Sequence, residues 1–234
     1  MKVWVGTSGY NYPEWKGTFY PADLAVAKML SYYAERFSTV EINATFYRMP
    51  SAKMMEQWAA STPDGFNFVL KAPKRITHDA RLKNIDEPLG YFCRTARLLG
   101  TKLGPVLFQL PPYFKKDLPR LADLLGMLPA DLKTAFEFRH ASWFSDDIYQ
   151  LLTSRNAALC AADTEKGTTP LVVTADFGYF RLRDKEYSDD DLEKWREAIN
   201  LSAAQWRNAF VYFKHEESGI GAALAQRFQK LFGD

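Results

Sequence analysis

Several features that mark particular classes of protein are scarce or missing in this sequence of 234 residues. The two cysteines, Cys93 and Cys160, lie in apolar contexts without CxxC spacing, so we expect free buried thiols in a reducing compartment. No apolar run approaches the ~18 residues of a membrane span, and the N-terminus lacks the apolar core of a signal peptide. These absences predict a cytoplasmic protein with no membrane partner.

The signatures of common catalytic and cofactor sites are missing as well. No GxGxxG follows the first strand-like run, and no P-loop, GxSxG or paired-cysteine motif occurs. The three histidines, His78, His140 and His215, have neither HxH nor HExxH spacing, so the sequence assigns no metal ligand and leaves the cofactor unknown. A metal held by carboxylates and one histidine stays an open alternative. The net charge of +2 neither requires nor excludes a nucleic-acid partner.

The composition and the order of elements predict an α/β fold. The chain is 47% hydrophobic and 15% aromatic, which is ample for a core. Helical patterns alternate with short strand-like runs, an order typical of parallel βαβ units. The runs cover 3–7, 39–46, 67–72, 105–110, 134–139, 157–162, 177–182 and 209–214.

Eight such units in a chain just short of ~250 residues favour an eight-stranded (β/α)8 TIM barrel. We expect one domain over residues 1–234, with an aromatic first βα loop and a degenerate sixth helix, since 163–176 does not have a helical pattern. A doubly wound open sheet is the alternative. Three helices have a serine before their first turn, namely Ser51, Ser145 and Ser188, and acids follow the last two, as helix N-termini favour.

The stretch TAFEFR (134–139) indicates where polar groups would gather. Phe136 and Phe138 alternate with Glu137 and Arg139, which is the two-residue period of a strand. A barrel strand is buried on both faces, against helices outside and packed side chains inside. The phenylalanines would therefore face the helices. Glu137 and Arg139 would point into the barrel near its carboxyl-terminal mouth, where barrel enzymes keep their active sites.

The same alternation, applied to every strand-like run, predicts one polar site at this mouth. We assign candidate catalytic roles to three carboxylates and candidate substrate-binding roles to eight further residues. The catalytic candidates are Glu41, Glu137 and Asp163, and the substrate-binding candidates are Ser8, Tyr10, Asn43, Lys71, Gln109, Arg139, Arg181 and Lys214. No residue is assigned to a metal.

An unpaired buried charge costs several kcal/mol, so these groups must pair with each other or with a ligand. Cations outnumber acids in the set, and two are arginines, whose planar fork grips phosphate or carboxylate. The favoured hypothesis is an enzyme for a phosphorylated or otherwise anionic compound, with phosphoester hydrolysis as the reaction. The alternative is that these charges have a purely structural role, as a salt-bridge layer with Glu41–Lys71 and Glu137–Lys214 as its pairs.

A second functional hypothesis is a non-catalytic nucleic-acid binder. The first loop (8–21) holds five aromatic rings that would stack on bases, unless they pack together as a hydrophobic lid. The segment KAPKRITHDARLK (71–83) is the most basic of the chain and would contact phosphates, unless it is only a solvated loop. A structural or partner-binding role is the third hypothesis. The sequence does not define the oligomeric state.

Five stretches in order resemble the YecE-like family of bacterial proteins. They are GTSGYNYPEWKGTFYP (6–21), EINATFYRMP (41–50), KAPKRITHDARL (71–82), LGPVLFQLPPYF (103–114) and EFRHASWF (137–144), and the resemblance extends over nearly the whole chain. It implies a TIM barrel and supplies no catalytic residues. The segment RLRD (181–184) departs from the family pattern, in which a His-Gly pair often follows the corresponding arginine.

Overall fold

In the computed structural model, which describes residues 1–164, 167–184, 186–214 and 219–233, eight parallel strands form a nearly closed barrel. Neighbouring strands follow the order β1-β9-β8-β6-β5-β4-β3-β2, and a short β7 pairs antiparallel with β6. The strands are β1 (Lys2–Thr7), β2 (Thr39–Ile42), β3 (Asn67–Lys71), β4 (Leu103–Gln109), β5 (Thr134–Glu137), β6 (Ala158–Thr164), β7 (Gly167–Thr168), β8 (Phe177–Leu182) and β9 (Asn208–Phe213).

The seam between β1 and β2 brings the two ends of this strand order together. Ser8 and Glu41 form an isolated parallel bridge, and the Gly9 N–H donates to the Glu41 carbonyl at 2.8 Å. A side chain at Gly6 would not fit here, because a Cβ atom would lie 2.3 Å from the Thr39 carbonyl oxygen. The TIM-barrel prediction is confirmed, and the open doubly wound sheet is wrong.

Two strands end earlier than the sequence pattern predicts. The predicted run 39–46 stops at Ile42, because Ala44–Tyr47 form a short helix. The predicted run 134–139 stops at Glu137, one residue before Phe138. Arg139 therefore lies beyond the strand, at the rim of the barrel rather than in its wall.

Inward and outward residues alternate along the strands as predicted. Phe136 and Phe138 belong to the large core between strands and helices, and they stack on each other at 6.2 Å. A second, smaller core fills the barrel itself. Its buried apolar members are Val69, Leu107, Ala135, Ala158, Cys160, Ala162, Ala175, Phe177, Tyr179, Phe210 and Tyr212. Polar groups lie above this apolar filling, at the carboxyl ends of the strands.

The helices surround the barrel, and the sixth connection differs from the others. They are α1 (Met29–Ala34), α2 (Ala44–Tyr47), α3 (Ala52–Ala60), α4 (Asp86–Ala96), α5 (Leu118–Met127), α6 (Asp146–Ser154), α7 (Asp189–Leu201) and α8 (Ile220–Lys230). The described part of the sixth connection, 167–176, contains no helix. Instead the Thr174 hydroxyl bonds the backbone at Ala157 and Leu159 (2.7 and 2.8 Å), so an extended segment covers β6.

Both cysteines are buried and free, as predicted from their apolar contexts. None of the helices in the described ranges combines the length and the apolar character that crossing a bilayer requires.

We expect the serine before α7 to contribute more to the free energy of unfolding than the serine before α6. At α7, Ser188 accepts from the Asp191 N–H at 3.2 Å, and Asp191 accepts from the Ser188 N–H, which is a complete capping box. The Ser145 hydroxyl instead donates to the Asp147 carboxylate at 2.7 Å and caps no backbone N–H. Ser188→Ala should therefore cost about 1 kcal/mol and Ser145→Ala clearly less, as measured by urea denaturation. Equal losses would contradict this assignment.

Candidate functional site

Arg181, at the carboxyl end of β8, is the centre of a buried charge network. Its Nε and Nη2 donate to the two carboxylate oxygens of Glu41 at 2.9 and 2.8 Å, and its Nη1 donates to Glu137 at 2.5 Å. The three side chains are no more than 1% exposed. One planar guanidinium thus joins carboxylates from β2 and β5, strands on different sides of the barrel.

Glu41 is held as a carboxylate by every group around it. The Ser8 and Tyr179 hydroxyls each donate to it at 2.6 Å, in addition to Arg181. Burial alone would raise its pKa, but the Arg181 charge and these hydrogen bonds more than offset burial and lower the pKa below its usual range. Glu41 is therefore a fixed anion at neutral pH.

Glu137 has three arginine partners. Besides Arg181, Arg139 Nε donates to it at 3.1 Å and Arg183 Nη2 at 3.0 Å, while the Gln109 amide donates at 2.8 Å. Burial opposes ionisation, yet the three guanidinium charges hold the pKa of Glu137 far below its usual range. A carboxylate with so many donors does not accept a proton readily near pH 7.

Lys71, the last residue of β3, differs from the other cations at the mouth. It is 8% exposed, and its Nζ lies 4.0 Å from the centre of the Phe46 ring. No hydrogen-bond acceptor or ion-pair partner for Nζ occurs among the described residues. Burial, followed by the Arg181 charge, lowers its pKa to about 7, although the nearby Glu41 and Glu137 charges oppose the shift.

His78 lies beside Lys71 in the segment that follows β3. Its ring meets Phe46 edge-on at 4.9 Å, and its Nδ1 is 2.9 Å from the Thr77 hydroxyl. Burial and the Lys71 charge lower the pKa of His78 to about 4, so the imidazole is neutral at pH 7. Phe46 thus packs against two basic groups, and both have a reduced proton affinity.

Two buried nitrogens at this end of the barrel have no hydrogen-bond partner within the described parts of the chain. They are Nδ2 of Asn43, which directly follows β2, and Nε of Arg183, which directly follows β8. Both are N–H donors. With Lys71, the mouth therefore has three donor groups that lack an acceptor, and such groups are costly to leave unsatisfied in a folded protein.

The structure brings together most of the site residues predicted from the sequence. Ser8, Glu41, Gln109, Glu137, Arg139 and Arg181 form one connected hydrogen-bond network. Asn43 and Lys71 lie at the same end of the barrel, after and at the ends of β2 and β3. The pairs proposed for a structural layer, Glu41–Lys71 and Glu137–Lys214, are wrong, because arginines bind both carboxylates.

Two predicted site residues, Asp163 and Tyr10, have other positions, whereas Lys214 directly follows β9 at the same end of the barrel as the network. Asp163 follows the inward residue Ala162 and lies on the opposite face of β6, where Thr168 and Tyr187 donate to its carboxylate at 2.9 Å each. It lines an open cleft of about 350 Å³ beside α7 rather than the barrel mouth. Tyr10 is half-buried, and its carbonyl accepts from the Tyr20 hydroxyl. Lys214 follows β9, and its backbone N–H donates to the Leu182 carbonyl at 3.0 Å.

The aromatic first loop packs on itself and on α1. Trp15 and Tyr20 are 1% exposed, and Phe19 contacts both of them. These rings are not available to stack on bases. The exposed rings of the rim are Tyr47 and Tyr113, at 73% and 63%.

The basic segment 71–83 divides into a buried and an exposed part. Lys71 faces the barrel, whereas Lys74, Arg75, Arg81 and Lys83 are exposed. At the end of the segment the backbone adopts positive φ angles at Arg81 (47°), Leu82 (64°) and Asn84 (51°). Residues other than glycine rarely adopt this backbone conformation, because it is strained. Such strained residues often cluster at functional sites.

Sequence reasoning missed three residues of the site. Tyr179 and Arg183 have the same parity as Arg181, so extending the alternation by one step in each direction identifies them. Phe46, which lies in α2, has no such signal. His140 accepts from the Ser142 N–H at 3.1 Å, and His215 lies outside the described residues. No group of three or more His, Cys, Asp or Glu side chains suited to a metal occurs in the described ranges.

Fold and site together define a TIM barrel with a buried arginine–carboxylate network beneath its mouth. The family model described as "Protein of unknown function DUF72" matches residues 4–234, and the chain belongs to this family. The resemblance to YecE-like proteins is thereby confirmed.

Individual relatives agree with this assignment. UPF0759 protein YunF of Bacillus subtilis (strain 168) is 27% identical over 268 residues, covering 98% of this chain and 94% of YunF. UPF0759 protein YecE of Escherichia coli (strain K12) is 30% identical over 144 residues, covering 61% of this chain and 50% of YecE. The crystal structure of a DUF72 family protein from Thermotoga maritima MSB8 covers 100% of both chains with a TM-score of 0.89 and 28% identity.

Proposed function

We propose that this protein is an enzyme that binds a small anionic substrate at the mouth of its barrel. The observation that carries the proposal is the set of buried donors without acceptors in the described chain, Asn43 Nδ2 and Arg183 Nε, at the same end of the barrel as the Lys71 amine, which has no acceptor there either. Because all three are donors, the missing partner is rich in acceptor oxygens. A phosphate or carboxylate group supplies several such oxygens at once.

The charges around the mouth support the same substrate class. Among the described residues, three arginines, one lysine and two carboxylates belong to it, so the arginines alone exceed the carboxylates by one positive charge and protonated Lys71 adds another. The cations are Lys71, Arg139, Arg181 and Arg183, and the carboxylates are Glu41 and Glu137. A concave site with a surplus of one sign raises the local concentration of ligands with the opposite sign.

The residues of the mouth divide into a buried ion-pair network and a set of groups closer to the rim that remain available to a ligand. Arg181 donates from Nε, Nη1 and Nη2 to Glu41 and Glu137, so these three buried side chains form a preorganised network of charges. Arg139 uses only Nε on Glu137, which leaves both terminal nitrogens without an acceptor in the described chain. Arg139 and Arg183 are therefore the groups that would hold the anion, and both start from an existing contact with Glu137.

Lys71 is the group best suited to transfer a proton. A general base works best when its pKa lies near the operating pH, and the pKa of Lys71 is lowered to about 7. Glu41 and Glu137, two of the catalytic candidates from the sequence, also have lowered pKa values, but for a carboxyl group this shift leads away from pH 7. For phosphoester hydrolysis, we therefore propose that Lys71 accepts a proton from water. The buried network of Arg181, Glu41 and Glu137 would provide electrostatic stabilisation.

A nucleic-acid groove is the second candidate, and the exposure of Lys74 and Arg75 after β3 and of Tyr47 after β2 favours it. Against it, Trp15 and Tyr20 are buried, so the aromatic first loop does not provide a stacking surface. The donors without acceptors lie inside the mouth rather than along an exposed groove. The small-molecule hypothesis accounts for more of the buried groups.

A thermal-shift series tests the proposal. Phosphate, sulfate and sugar phosphates are expected to raise the melting temperature of the wild type, because a ligand at 100 times its Kd adds about 2.7 kcal/mol. The rise should disappear in Arg139→Ala and in Asn43→Asp, which puts a carboxylate where an unpaired donor lies. It should persist in Arg207→Ala, whose exposed side chain precedes β9 at the opposite end of the barrel.

The outcomes separate the two candidates. If no anion shifts the wild type, or if all variants respond equally, the mouth is not an anion site. A shift with short single-stranded DNA alone, which falls steeply with salt and is lost in a Lys74→Ala/Arg75→Ala double variant, would replace the small-molecule proposal with the nucleic-acid groove.

A further inference from the structure

We propose that Lys71 is a carbonyl-reactive amine that forms an imine with an anionic aldehyde or ketone bound at the mouth of the barrel. This inference rests on the proposed function, because the arginines that hold the anion also place the carbonyl group. It narrows the substrate class to compounds with both an anionic group and a carbonyl, such as 2-oxo acids and sugar phosphates.

The position of Lys71 is that of a nucleophile rather than of a structural cation. It is the final residue of β3, on the inward parity of the strand, at the end of the barrel where the network lies. The arginines at the mouth, in contrast, form ion pairs with the buried carboxylates: Arg181 with both, and Arg139 and Arg183 with Glu137. The Lys71 amine has no such partner in the described ranges and lies against the face of Phe46 at 4.0 Å.

The surroundings keep much of this amine in its reactive, unprotonated form. Burial acts first, and Arg181 and Arg139 add to it, while Glu41 and Glu137 act in the opposite direction; the resulting pKa is about 7. His78, the other titratable neighbour, is neutral at pH 7. A solvent-exposed lysine with a pKa of about 10.4 has on the order of 10³ times less free amine at pH 7.

The proposed step balances without an oxidant or reductant. The Nζ lone pair attacks the carbonyl carbon, a C–N bond forms, and the carbonyl π electrons move to oxygen, which takes up a proton. Nitrogen loses one proton, which gives the neutral carbinolamine. Its hydroxyl oxygen takes up a second proton from solvent and leaves as water, while the nitrogen lone pair forms the C=N bond. Because nitrogen keeps its last hydrogen, the product is the cationic iminium, which the carboxylates of Glu41 and Glu137 stabilise by charge.

An anionic group on the substrate fits the donors around this amine. The acceptor-lacking nitrogens, Asn43 Nδ2 and Arg183 Nε, lie after β2 and β8, whereas Lys71 ends β3. An anion bound to these donors would be anchored separately from the atom that reacts. Such anchoring turns imine formation into an effectively intramolecular event, which lowers the entropic part of the barrier.

Reductive trapping tests the inference. The full-length protein is incubated with pyruvate or dihydroxyacetone phosphate and then with cyanoborohydride, which converts an imine into a stable secondary amine. Peptide mass spectrometry then locates the modified lysine. We expect modification at Lys71 to exceed that at exposed Lys74 by at least tenfold at pH 7, and to rise with a midpoint near pH 7.

Matched variants and probes complete the experiment. Lys71→Arg keeps the charge and should abolish trapping, whereas Lys74→Arg should leave it unchanged. Acetone, which has the carbonyl but no anion, should label Lys71 at least tenfold less than pyruvate does. Labelling spread evenly over the lysines, or unchanged in Lys71→Arg, would overturn the inference.

The anion-binding series distinguishes this inference from the proposal on which it rests. If phosphate stabilises the wild type and not Arg139→Ala, but no carbonyl probe is trapped at Lys71, the imine is wrong and the anion site stands. If neither is seen, both are wrong.

Discussion

Arg181→Met is expected to lower the free energy of unfolding by about 3–5 kcal/mol at pH 7. The arginine neutralises two carboxylates that are buried completely, and its removal leaves Glu41 with hydroxyl donors only. Glu137 retains Arg139 and Arg183, so most of the loss should come from Glu41. Urea denaturation followed by circular dichroism measures the effect.

An exposed ion pair provides the matched control for this prediction. Arg227 pairs with Asp189 at the surface, where both side chains are accessible, so Arg227→Met should cost no more than about 1 kcal/mol. The double variant Glu41→Gln/Arg181→Met removes the unpaired charge together with its partner. It should recover much of the lost stability. If Arg181→Met and Arg227→Met cost the same, the buried network is not what stabilises the barrel.

The pH dependence of the same variant follows from the pKa shifts. In the wild type the pKa values of Glu41 and Glu137 are lowered, so their contribution is complete above about pH 4.3 and is lost as the pH falls further. In Arg181→Met, burial without compensation raises the pKa of Glu41. The variant should therefore become more stable as the pH is lowered from 7 toward 5, whereas the wild type should not.

Lys71→Met is expected to raise the free energy of unfolding by about 1–3 kcal/mol at pH 7. The unfolded chain binds a proton at lysine below a pH of about 10.4, but folded Lys71 binds it only below about 7. Folding therefore carries a penalty of up to about 4 kcal/mol, which the contact with Phe46 offsets in part. Methionine fills a similar volume without the charge.

The sign of this effect can be checked by its dependence on pH. Because the unfolded state holds one more proton between pH 7 and 10, Lys71 makes the wild type more stable as the pH rises over that range. This slope should be lost in Lys71→Met, and the gain in stability should vanish near pH 10. Lys74→Met is the control, since exposed Lys74 should change neither quantity. A destabilised Lys71→Met would mean that Lys71 is part of the structural network.

Arg181→Met and Lys71→Met together distinguish a residue that stabilises the fold from a residue that reacts. Arg181 is expected to stabilise the fold, and Lys71 is expected to destabilise it, although both are buried cations at the carboxyl ends of strands. A buried group that lowers stability is typical of residues retained for activity rather than for packing. Both results together would support the proposal that Lys71 is the reactive group and that Arg181, Glu41 and Glu137 supply preorganised charge.

Much of the site follows from strand alternation alone. Residues of one parity on a barrel strand share the interior, and parallel strands end on one side. Glu41, Lys71, Gln109, Glu137 and Arg181 were therefore predictable before any coordinates. The same rule gives Arg183, which was missed because the pattern was followed only to the end of the strand. Asp163 was assigned to the mouth because it lies at the end of β6, but the alternation along β6 was not considered. Ala162 faces the interior, so Asp163 faces outward.

What the alternation does not give is which charges meet. Glu41 and Arg181 are 140 residues apart, and Lys71 was as plausible a partner for Glu41 as Arg181 was. The length of each side chain and the layer from which it projects decide the pairing. Arginine reaches both carboxylates with a planar fork, and this leaves Lys71 against Phe46, a residue for which the sequence has no signal.

The barrel, its inward and outward faces and the end at which polar groups collect could be predicted from the sequence, because they depend on local periodicity and on the shared direction of parallel strands. The assembled fold was needed to show that the aromatic first loop packs on itself and on α1, that arginines bind both buried carboxylates, and that Lys71 makes no ion pair within the described ranges. Those features depend on distances between residues far apart in the chain. Burial sets their energies, and burial is a property of the assembled fold.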